Sequence, residues 1–147
     1  MKAKARVTMR FVENWTPDNL DWVKARNECS AAQMFEGLKR EIGSDIAIRN
    51  SQLPPGSPFT FTLEIFNGSF SVIRKAAGDS PSVIFSRKGE EITAKNSNSG
   101  ELIFVATVTL NDLGECKFKL KESGKAEYSE KYSWQVRRLA LQELLFD

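Results

Sequence analysis

The chain reads as an α+β protein built on an antiparallel meander sheet of about seven strands. Three observations predict it. An alternating segment opens the chain, a long helical stripe follows, and three successive hairpins then bring their apolar residues to one face. With 147 residues, 41% hydrophobic and 27% charged, the composition is that of one globular domain spanning 1–147.

In the opening segment Ala3, Ala5, Val7, Met9 and Phe11 share one face, and Lys2, Lys4, Arg6, Thr8 and Arg10 the other. This period of two predicts a half-buried strand. Thr16-Pro17-Asp18 supplies a cap, a proline at the first helical position and an acid suited to the helix dipole. Leu20, Val23, Ala31, Met34, Phe35, Leu38 and Ile42 then lie on one stripe at 3.6-residue spacing, which predicts one long N-terminal helix ending at Gly43. A second reading breaks that helix at Ser30, where Ser30 and Gln33 form a capping box. Ile46 and Ile48 suggest a short strand before the turn-rich connector 50–58.

The hairpins carry explicit registers. Asn67-Gly68, a strong two-residue turn signal, pairs Ile65 with Phe70, Leu63 with Val72 and Phe61 with Arg74. A Lys88-Gly89 turn pairs Phe85 with Ile92 and Val83 with Ala94, leaving Arg87 and Glu90 as an ion pair at the tip. A three-residue loop, Asp112-Leu113-Gly114, pairs Leu110 with Cys116, Val108 with Phe118 and Ala106 with Leu120. Three independent turns thus agree on one apolar face. A C-terminal helix is expected over 129–146. The order of strand, helix, strands and helix is similar to the helix-grip arrangement, in which a curved sheet wraps a C-terminal helix. That resemblance concerns fold and carries no function.

Absent residue types narrow the chemistry. There is no histidine, which removes the commonest metal ligand and general base, and with them Ser-His-Asp and Cys-His catalysis. Two cysteines cannot build a four-thiolate zinc site. No catalytic set, metal site or cofactor is expected, and the chain reads as a non-enzyme. No stretch is long and apolar enough to span a bilayer, and no secretory signal opens the chain. Cys29 lies off the helical stripe while Cys116 points inward, so two free thiols in a reducing, cytoplasmic setting are expected.

Four features bear on function. Lys117, Lys119 and Lys121 point outward, opposite Thr109, Thr107 and Val105; with Lys2, Lys4, Arg6 and Arg10 they would form a basic sheet face for phosphates or acids, or simply a solvated edge. Arg74 falls on the apolar side, as a buried anion ligand or a rim residue reaching water. Seven phenylalanines (Phe11, Phe59, Phe61, Phe70, Phe85, Phe104 and Phe118) point inward, around a packed core or an apolar cavity. Finally, the C-terminal helix is apolar on two sides. Tyr132, Val136, Leu139 and Phe146 mark one; Trp134, Leu141, Leu144 and Leu145 mark the other. A helix docking on a sheet needs one such side. The second is covered by the N-terminal helix or by another chain.

The leading expectation is therefore a non-enzymatic module binding a protein partner or a second copy of itself, with Trp134, Leu141, Leu144 and Leu145 as interface candidates. The alternatives are weak, sequence-independent nucleic-acid binding by the basic face, and a carrier or enzyme for an apolar small molecule in a helix-grip-like cavity.

Overall fold

The computed structural model of the chain describes residues 20–147. The predicted opening strand and the Thr16-Pro17 helix start lie outside them. The described residues form three helices and seven strands: α1 (Trp22–Glu28), α2 (Ala31–Ser51), β1 (Phe59–Phe66), β2 (Ser69–Ala76), β3 (Ser82–Lys88), β4 (Glu91–Asn96), β5 (Leu102–Leu110), β6 (Cys116–Glu122), β7 (Ser129–Lys131) and α3 (Ser133–Phe146). The strands make one antiparallel meander in sequence order. The predicted α+β class and meander are present, but the seventh described strand comes from Ser129–Lys131, three residues assigned above to the C-terminal helix.

The N-terminal helix is two helices. Ser30 is extended, and its hydroxyl accepts from the Gln33 amide at 3.2 Å, so the N-cap at Ser30 rather than the continuous stripe describes this point. Asp21 caps α1 through the Lys24 amide. Gly43 does not end α2, and Ile46 and Ile48 are helical. The stripe continues in phase through Phe35, Leu38, Ile42 and Ile46, all buried. Burying Ile46 offsets the cost of a mid-helix glycine, about 1 kcal/mol. At the helix end, the Asn50 side chain accepts from the Phe61 amide at 2.9 Å and donates to its carbonyl at 2.8 Å. It thereby occupies the free edge of β1 as a neighbouring strand would.

The first and third hairpins have the predicted registers. Gly114 adopts φ 79°, and the Asn111 side chain accepts from the Leu113 and Glu115 amides, closing the loop. The second hairpin is displaced. Lys88 pairs with Glu91, Phe85 with Ala94 and Val83 with Asn96, so the turn is Gly89-Glu90. With φ 63° at Gly89 and no positive φ at Glu90, the turn needs its glycine in the first central position. The slip is two residues, so every side chain keeps its face. Arg87 donates to the Gly89 carbonyl instead of pairing with Glu90.

The core lies between the sheet and the two longer helices. Phe70, Phe85, Ala94 and Phe104 form one row across β2–β5, and Ile92, Ala106 and Leu120 form the next. Phe35 of α2 lies 5.1 Å from Phe70, which stacks on Phe85 at 4.9 Å. Of the inward phenylalanines, Phe61, Phe70, Phe85, Phe104 and Phe118 are at most 2% exposed. Phe85 also meets Phe104 edge-on, and Phe61 meets Phe59.

The cysteines are joined, contrary to the expectation of free thiols. Cys29 and Cys116 form a disulfide with Cα atoms 5.4 Å apart and a sequence separation of 87. The continuous-helix phase had turned Cys29 away from the sheet. The break between α1 and α2 releases it from that phase, and it is 4% exposed against the start of β6. The bond also removes the thiol argument for a reducing compartment. No described helix is long and apolar enough to cross a membrane.

Candidate protein-docking face

Three contacts align α2 with α3. Glu41 accepts from the Ser133 hydroxyl, Asp45 takes Arg137 at 2.7 and 2.9 Å, and Arg49 Nε donates to the Leu145 carbonyl at 2.8 Å. Their positions advance together along both helices, so the helices run in the same direction. At the start of α3, Gln135 reaches back to the Tyr132 amide at 2.8 Å. At its end no basic residue lies in the last turn, and cations arrive from other elements. Arg49 serves Leu145, while Arg74 Nη1 approaches the Leu144 carbonyl at 3.4 Å with its guanidinium over Phe59. Both meet the negative end of the helix dipole. Arg74 is therefore placed at the rim, on a helix terminus.

Both sides of α3 reach the core, through Val136 on one and Leu141, Leu144 and Leu145 on the other, while Tyr132, Trp134 and Phe146 are exposed. Leu141, Leu144 and Leu145 are 2%, 7% and 6% exposed, so the chain itself covers them, with α2 as the second covering element. Trp134 is 54% exposed. Ile48 of α2 and Phe146 at the end of α3 are 56% and 59% exposed, and with Trp134 they edge a hollow of about 350 Å³ between the two helices. Leu141 and Leu145 lie in its lining, and the Phe146 ring sits 4.9 Å from the Arg49 guanidinium. On the other side of Trp134 lies a second hollow of about 360 Å³, bordered by Glu122, Lys131 and Leu139. Trp134, Arg138 and Gln142, four residues apart, thus form a ridge between two depressions. The sequence signal for Trp134 was its phase on α3. Nothing local marked Ile48, whose place in the lining depends on α2 continuing past Gly43.

The basic face is partly neutralised. Lys117, Lys119 and Lys121 stand opposite Thr109, Thr107 and Val105, as predicted. Lys117 lies 3.8 Å from Glu130 and 4.1 Å from the Tyr132 ring centre. Lys119 faces Glu130 across β7, and Lys121 lies 5.7 Å from the Tyr128 ring. The sequence reading assigned Tyr132 to an apolar side of the C-terminal helix and did not single out Tyr128, so neither ring was placed beside these lysines. Lys2, Lys4, Arg6 and Arg10 lie outside the described residues. Among the described residues no three potential metal ligands come together.

Comparison with protein-family models, curated proteins and solved structures finds no match to this chain.

Proposed function

We propose that the chain is a non-enzymatic interaction module that binds another protein through the α2–α3 face. One observation carries the reading. Ile48, Trp134 and Phe146, each more than half exposed, converge on a single hollow whose lining includes Leu141 and Leu145. Scattered exposed apolar residues need no explanation, but a contiguous apolar patch with polar borders is the ordinary form of a docking site. Tryptophan and arginine are also the side chains most enriched among interface anchors. A photo-crosslinking residue placed at position 48 tests the proposal in cells that express the protein. A discrete protein adduct is expected there, with none from a crosslinker at Thr93 on the opposite sheet face. Equal adducts from both positions, or none from position 48, would count against it.

A second reading, weak nucleic-acid binding at β6–β7, draws on Tyr128 and Tyr132 beside Lys121 and Lys117. Aromatic rings next to cations suit single strands. Glu130 against Lys117 and Lys119 weakens that reading. Affinity for labelled oligonucleotides that falls steeply with salt would favour it.

A further inference from the structure

We infer that the partner segment seated in the α2–α3 groove is an acidic amphipathic α-helix of about three turns. This deepens the docking-face reading and rests on it. The charge around the groove selects the sign. Its lining carries Arg49, Arg137 and Arg138 against one acid, Asp45, which Arg137 already holds at 2.7 Å. Arg138 is exposed and makes no ion pair among the described residues. Arg49 spends one donor on the Leu145 carbonyl and has no carboxylate partner among the described residues. An occupant with carboxylates beside an apolar stripe meets Arg138, which has no ion pair among the described residues, and the remaining donors of Arg49.

The same charges argue against a second copy. A twofold pair lays each surface patch on its own equivalent, so this positive rim would face another positive rim. Like charges brought together across an interface disfavour the complex.

The walls select the secondary structure. Both are helices whose backbone groups pair internally along the groove, so they offer no free edge for an added strand. A helical segment satisfies its own backbone and presents side chains at i, i+3, i+4 and i+7. The Trp134–Arg138–Gln142 ridge, with a hollow on each side, is the relief into which such side chains interdigitate. From Trp134 to Phe146 the groove wall is about 18 Å long at 1.5 Å per residue, enough for about three turns.

The test is selection from a displayed library of 15-residue helix-forming peptides on the full chain, with the Ile48→Glu and Arg138→Glu variants alongside. Ile48 and Arg138 are exposed, and unchanged melting curves verify that both variants fold. Selected peptides should share an apolar stripe and a net negative charge, and should lose binding to Ile48→Glu. Arg138→Glu should weaken them about tenfold, and lysine-substituted versions should recover affinity on that variant. Binders that depend on Ile48 but carry no acidic excess, or ignore the charge reversal, overturn the acidic helix and leave the docking face standing. Binders indifferent to Ile48→Glu, or no binders at all, overturn both.

Discussion

Gly114 holds φ 79° at the tip of the β5–β6 hairpin, a conformation in which a β-branched side chain crowds its own backbone. Gly114→Val should therefore cost about 1–2 kcal/mol, read as a lower urea midpoint with an unchanged slope. Gly43 presents the opposite case. It lies inside α2, and a Cβ there would meet the Leu63 side chain at 3.7 Å, an ordinary contact. Gly43→Ala should raise stability by about 0.5–1 kcal/mol in the same assay. The contrast shows what single residues disclose. Gly114 was legible because its loop length and the flanking apolar pattern both required a left-handed position. Gly43 was misread as a stop because its local signal says nothing about Ile46 finding a buried place one turn later. Gly89 was legible as a turn but not in its position, since either register keeps the apolar residues on one face.

Among the elements, α3 divides its apolar residues between inside and outside. Leu141 is 2% exposed, so Leu141→Ala should destabilise the chain by about 2–5 kcal/mol. Trp134→Ala removes an exposed indole and should shift the melting temperature little. Thermal unfolding of the two variants side by side checks the division. Equal losses would place Trp134 in the core. The two-sided pattern of α3 was visible in the sequence, because 3.6-residue phase is a local property. Which side α2 covers was not. It follows from the alignment of Glu41, Asp45 and Arg49 with α3, contacts made across more than 90 residues of chain.

At the scale of the molecule, the Cys29–Cys116 bond ties the junction of α1 and α2 to β6 across 87 residues. A link closing so long a loop constrains the unfolded chain strongly, and reduction should cost about 2–5 kcal/mol. Intact-mass measurement of air-purified protein should reveal both thiols only after reduction. Reactive thiols without reductant would contradict the pairing. Composition was enough to exclude histidine-based catalysis, and hairpin chemistry was enough for the meander. The α2–α3 groove was beyond both, because it exists only where Ile48 of α2 comes beside Trp134 of α3. The most direct test of that groove places the crosslinker at position 48 and compares the wild-type background with Trp134→Ala. The protein adduct should form in the first and be largely lost in the second, with the melting temperature nearly unchanged. An adduct that survives Trp134→Ala undiminished would contradict the account.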